Sequence, residues 1–170
     1  MKAISLHQPF ATLSACRIKL HETRSKSTNY RGPLVIQAAQ RWDAPVIERC
    51  AKFSAMFSER FDAFPHPSDA QRPGTWDLGC YVAVVDLVAT FQVASADVID
   101  HPWIMVQATD GTEHRVGVDD FACGDWKPGR WAWVMQNARR LPRPIFTRGY
   151  QWLWKPTRTE RRKLAEQVQL

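Results

Sequence analysis

The chain contains no Cys-x-x-Cys pair. Cys16, Cys50, Cys80 and Cys123 stand alone, and none has a His at zinc-ligand spacing. This argues against the usual zinc modules, and no metal ligands are assigned. Each cysteine sits among apolar neighbours, where a reduced thiol behaves as a small core residue, so free thiols are favoured over two disulfides. No stretch approaches the ~18 consecutive apolar residues of a membrane span. Residues 1–15 look superficially like a secretory leader, but His7, Gln8 and Pro9 interrupt the apolar run, and the expected location is the cytoplasm. There is no internal repeat, no low-complexity tract and no β-α-β-α rhythm, which argues against a doubly wound sheet.

What is present suffices for a core. The 170 residues are 45% hydrophobic and include eight Trp, so folding without metal, cofactor or disulfide is expected. This length fits one domain of ~100–200 residues. Residues 1–156 are read as that domain, and 157–170 as a basic helix within the same unit. Charge is segregated along the chain. Residues 1–60 hold ten Lys/Arg against four Asp/Glu, residues 61–126 two against eleven, and residues 127–170 eleven against two. If the two basic ends share one side of the fold, that side draws a polyanion, with nucleic acid as the leading partner class.

Local patterns predict the elements. Residues 2–6 alternate as a strand, and Pro9 suits the first turn of a short helix to about Ala15. Extended segments follow at 20–25 and 34–39. Residues 45–61 carry Val46, Cys50, Phe53, Phe57 and Phe61 at helical spacing. Residues 62–77, rich in Pro, read as an exposed, mobile loop. Residues 81–90 are the strongest strand, Asp110-Gly111 marks a two-residue hairpin turn, and 130–136 give another strand. Pro142 and Pro144 are expected to break the chain before residues 145–154, and 157–169 close it as a helix. Five to seven short strands with about three helices suggest an α+β fold built on a closed or half-closed β-barrel.

Reactive groups concentrate in R-I-K-L-H-E-T-R, Arg17 to Arg24. On an extended segment Glu22 and Arg24 share one face, while His21 and Thr23 take the other, with Lys19 depending on the turn before it. Such a trio of charges can position or activate a substrate, although charged strand faces are more often solvated surface or structural ion pairs. Gln8 could read a base edge or simply satisfy its turn. Asp125, Lys127 and Arg130 lie in a G-D-x-x-P-G-R loop that could frame a cleft. Trp131 and Trp133 read as packing before stacking platform. Arg158, Arg161, Arg162 and Lys163 form a basic helical run that either tracks phosphates or is solvated.

The cluster resembles the signature G-x-K-x-x-E-x-R of the ASCH family, in the PUA-like superfamily, with Lys19, Glu22 and Arg24 in place and Arg17 where that pattern has Gly. The opening K-A-I-S-L-H-Q-P-F is similar to the L-W-Q-P-W start of one ASCH subgroup, with His7 and Phe10 replacing Trp. Y-R-G-P-L-V-I-Q-A-A, V-A-V-V-D-L, G-D-W-K-P-G-R-W-A-W-V and R-G-Y-Q-W-L-W resemble the same subgroup. The resemblance implies a PUA-like barrel with an RNA or nucleotide cleft beside Lys19, Glu22 and Arg24. Activities assigned in the family are RNA binding, ribonuclease-like cleavage and hydrolysis of N4-acetylcytidine. The deacetylating branch uses a Thr nucleophile where this chain has Glu22, which argues against that chemistry.

The reading is therefore a monomeric RNA-, nucleoside- or nucleotide-binding domain with Gln8, Arg17, Lys19, Glu22, Arg24 and Arg130 at the ligand. A metal-independent hydrolase using Lys19 and Glu22 is the alternative, and a protein-interaction domain the third. If Arg17 replaces a Gly of positive φ, it costs about 1 kcal/mol or reshapes its turn.

Overall fold

The first residues form a strand in which Ala3, Ile4 and Leu6 are buried, so that both of its faces meet the core. The computed structural model describes residues 1–62, 64–100 and 102–168. Its elements are β1 (Lys2–Leu6), α1 (Phe10–Ala15), β2 (His21–Arg24), β3 (Gly32–Ala38), α2 (Ala44–Phe57), β4 (Cys80–Asp100), β5 (Trp103–Ala108), β6 (Glu113–Gly117), α3 (Val118–Phe121), β7 (Trp131–Phe146) and α4 (Arg158–Ala165). Among the described residues the fold is α+β, with seven strands in a mixed sheet and four α-helices.

The sheet order is β1-β3-β4-β5-β6, with β7 on β4 and β2 on β7. β1 and β3 are parallel, Lys2 opposite Leu34. β2 and β7 are antiparallel, with Glu22 opposite Trp133 and Arg24 opposite Trp131. Among the described residues these ladders branch and do not return on themselves, so the expected barrel is corrected to an open sheet. β1 takes a single bridge from Ala3 to Trp154 on one side, and β6 runs directly into α3.

The chain packs as two compact units. Unit 1 comprises Met1–Arg17, Pro33–Val85 and Ala138–Leu170; unit 2 comprises Ile18–Gly32 and Asp86–Asn137. Unit 1 buries Ala3, Val35, Tyr81, Val84, Leu141 and Ile145 with Leu164 and Val168, so the end of the chain is part of a core. Asp43 caps α2 by accepting the Val46 N–H at 3.3 Å, and the helix buries the expected stripe Val46, Cys50, Phe53 and Phe57. All four cysteines are free, and burial pushes the thiols of Cys50 and Cys80 up to about 12. Unit 2 gathers Phe91, Val93, Ile104, Val106, Val116, Trp126 and Ala132. Among the described residues no helix is long and apolar enough to cross a membrane.

Four local expectations need correction. Residues 62–77 hold little regular structure, but Phe64, Ala70 and Trp76 are buried, and Trp76 Nε1 donates to Ala70 O at 2.9 Å. The segment is thus not the fully exposed loop that its Pro content suggested. The hairpin loop has three residues, closed by Ala108 N to Thr112 O at 2.8 Å, with Gly111 at φ 85° supplying the left-handed position. Pro142 and Pro144 do not break β7, because both are exposed and a residue whose N–H faces away from a ladder can be Pro. Arg143 between them donates its N–H to the Gln167 side chain at 2.9 Å. α3 was not expected at all.

Candidate functional site

Lys19 precedes β2, and the turn directs its side chain toward Glu22 on the neighbouring strand position. The ammonium is only 2% exposed with its residue. It donates to His21 O at 2.7 Å and Cys123 O at 2.8 Å, and lies 3.3 Å from Glu22 Oε2. An ammonium has three N–H donors, and two of them go to backbone carbonyls that fix its position. Lys19 is therefore a buried strut that holds Glu22. On the other side of Glu22, Arg24 Nη1 stands 3.5 Å from Oε1, and the Arg24 guanidinium lies 5.9 Å from the Trp133 ring centroid. The carboxylate is thus held between two cations, on a side chain that is 12% exposed.

The opposite face of β2 is tied down by hydrogen bonds. Thr23 Oγ1 accepts the Asp125 N–H at 2.8 Å, and Thr23 O accepts from Arg130 Nη2 at 3.0 Å. Arg130 Nε is 3.5 Å from Asp125 Oδ2, an ion-pair separation too long for a good hydrogen bond. Arg130 consequently braces the strand and its loop. The same loop lines a groove of about 480 Å³ with Phe121, Trp126, Asp125 and Lys127, a set that does not include Lys19, Glu22 or Arg24.

Asp120 is the residue that the sequence pattern did not reveal. It is 5% exposed, and Oδ1 accepts the N–H of Leu20 at 3.0 Å and of His21 at 3.1 Å. Its Oδ2 lies 2.6 Å from His21 Nδ1. One carboxylate on the four-residue α3 therefore fixes the start of β2. Around it, His21 packs on Trp126 with ring centroids 5.6 Å apart, and His114 stacks on Phe91 at 3.7 Å and 3°. Burial, then the charge of His21, lowers the His114 pKa below 6.5 against the opposing pull of Asp110. Among the described residues no group of three His, Cys, Asp or Glu side chains is placed to hold a metal.

The remaining sequence candidates belong to unit 1. Gln8 is fully buried; its Oε1 accepts from Thr12 N at 3.2 Å and Thr12 Oγ1 at 3.0 Å, and its Nε2 donates to Asp77 O at 2.8 Å. Those bonds give it the work of fixing α1 to the chain near Asp77. Arg17 takes φ 63° just past α1, a position that favours Gly, and donates Nε–H to Ala138 O at 3.1 Å. The strand and helix elements thus bring Lys19, Glu22 and Arg24 together, place Arg130 against the Thr23 carbonyl, and place Gln8 and Arg17 in the other unit.

No protein-family model and no curated protein matches the sequence. The crystal structure of ASCH from Zymomonas mobilis is similar over 97% of this chain and 93% of that one, with a TM-score of 0.50 and 13% identity. The chain adopts the ASCH fold. The crystal structure of a mutant ASCH protein from the same organism is similar over 97% of this chain and 96% of that one, at 14% identity and a TM-score of 0.49. At such identity the ASCH likeness concerns the backbone alone.

Proposed function

We propose that the chain binds RNA or its nucleotides, with Glu22 and Arg24 contacting the ligand and Lys19 holding Glu22 in place. We read residues 1–156 together with the closing helix as one ASCH domain. The observation that carries the proposal is the largely buried Glu22 carboxylate between Lys19 and Arg24. Desolvating Lys19 and Glu22 is expensive, and a solvated strand face would not require it. A carboxylate accepts hydrogen bonds from the exocyclic amino group of cytosine, while a guanidinium can pair with phosphate or stack on a base. The fold supports a nucleic-acid ligand in the same sense. Arg130 and Asp120 act through the backbone of β2, and Gln8 and Arg17 support unit 1.

A metal-independent hydrolase is the second reading, favoured by the two Glu22 oxygens, which face cations at 3.3 and 3.5 Å and keep lone pairs for a water or a ribose 2′-hydroxyl. Thr23 is poorly placed as a nucleophile, since its hydroxyl faces Asp125 N. RNA cleavage is therefore preferred to hydrolysis of N4-acylated cytidine. The test measures anisotropy of a labelled single-stranded RNA with wild type, Glu22→Gln and Arg24→Gln, followed by product analysis with RNA and N4-acetylcytidine. A loss of about tenfold in affinity for each variant, within the range for a charge-assisted contact, supports the site. Unchanged binding in both variants removes it. Rapid deacetylation by wild type alone would overturn the argument from Thr23.

A further inference from the structure

We propose that unit 1 carries a second binding surface, for single-stranded RNA, in the groove between the end of β7 and α4. The groove has a volume of about 410 Å³, and Arg143, Phe146, Lys163, Glu166 and Gln167 are among the residues that line it. Phe146 is 82% exposed. An aromatic ring open to solvent beside a guanidinium and an ammonium presents the two chemistries that a single strand offers, a π face for a base and cations for phosphate.

The walls of the groove are fixed. Arg143 N donates to Gln167 Oε1 at 2.9 Å, and Leu141 and Ile145 of β7 are buried with Leu164 and Val168 from the end of the chain. Thr157 and Glu160 close a reciprocal capping box that sets where α4 begins. A ligand thus meets a surface whose backbone is already ordered.

Charge identifies the occupant. Residues 138–170 hold nine Lys/Arg against two Asp/Glu, so the partner is a polyanion. The pattern continues past Phe146, where Arg148 lies 5.9 Å from the Tyr150 ring centroid, and Tyr150 is 55% exposed. An acidic protein would use the cations but not require exposed aromatic faces. Glu166, an acid within the groove, pairs at 3.7 Å with Arg162. Its carboxylate can accept a hydrogen bond from a ribose 2′-hydroxyl, which deoxyribose lacks. Both features favour RNA.

The proposal stands apart from the Glu22 site, and one experiment separates them. The full chain is titrated into a fluorescein-labelled ten-adenylate RNA at several salt concentrations, alongside Phe146→Ala, Arg143→Gln, Lys163→Gln and Glu22→Gln. All three groove residues are exposed, so unchanged thermal midpoints confirm that the variants fold. Phe146→Ala is expected to weaken binding about tenfold. Arg143→Gln and Lys163→Gln are each expected to flatten the dependence of log affinity on log salt by about 0.7. Wild type should bind the ribo-oligomer more tightly than the deoxy-oligomer and more tightly than polyglutamate. Full affinity in Phe146→Ala overturns the stacking surface, even if Glu22→Gln loses binding. Equal affinity for the deoxy-oligomer or for polyglutamate overturns the RNA assignment.

Discussion

Unit 1 contains sixteen Lys/Arg against eight Asp/Glu, while unit 2 contains seven against nine, yet the Lys19-Glu22-Arg24 trio lies in unit 2. The basic ends of the chain do fall mostly in one unit, and it is not the unit with the buried ionic site. Unit 1 presents charge on its exterior, at Arg143, Arg148, Arg158, Arg161 and Lys163. Unit 2 places charge inside, where Lys19, Glu22 and Asp120 are each at most 9% exposed. Surface cations give long-range attraction that salt screens. Buried, hydrogen-bonded ions give fixed geometry. Long-range attraction and fixed local geometry are thus assigned to different stretches of chain.

This contrast breaks most visibly at Lys19. Lys19→Ala leaves Glu22 and the carbonyls of His21 and Cys123 without their buried donor, and the expected loss is about 3–5 kcal/mol in urea unfolding. An unchanged midpoint with weakened RNA binding would mean that Lys19 is a ligand group after all. A smaller effect is expected from Gln8→Ala in unit 1, which strands Thr12 N and Asp77 O for about 1–3 kcal/mol. At equal folded fraction its RNA affinity should match wild type, and a selective loss of affinity would return Gln8 to the ligand.

Arg24 sharpens the comparison further, because its side chain is 23% exposed and its removal should cost no more than about 1 kcal/mol of stability. A loss several times larger would make the Glu22–Arg24 pair a structural one. The smallest effect concerns pH. His114 in unit 2 and His7 in unit 1 both have pKa values below 6.5, by burial first, reinforced by His21 in the one case and by Arg41 and Arg49 in the other, with Asp43 opposing at His7. A lowered folded-state pKa means that the neutral imidazole is preferred in the fold. The contribution is therefore complete above pH 6.5 and is lost as pH falls through the lowered values. Urea midpoints between pH 7.5 and 5 should decline, and His114→Gln and His7→Gln should each flatten that decline slightly. A midpoint that rises on acidification contradicts both assignments.

Much of this fold was legible locally. The stripe at Val46, Cys50, Phe53 and Phe57 reads as one helix face because period 3.6 is a property of neighbouring residues, and the Val-dense run after Gly79 reads as a strand for a similar reason. The ASCH motifs pointed to the fold that the backbone adopts. The closed barrel was not legible, since closure depends on which strand edges meet. Nor were the exposed prolines in β7, whose cost depends on whether their missing N–H faces a partner. Asp120 left no signal because it acts on Leu20, 100 residues away in sequence, from a helix of a single turn.

The sequence by itself determined the extended run of β1, the apolar face of α2, and the grouping of Glu22 with Arg24 on one face of β2. Each follows from backbone periodicity and steric preference over a few residues. Only the tertiary structure decided that Lys19 is a buried strut, that Arg130 reaches the Thr23 carbonyl, and that most of the positive charge lies outside the unit with the ionic site. Those outcomes depend on which distant carbonyls and carboxylates reach a given cation, and hydrogen-bond partners of that kind exist only once the chain has closed on itself.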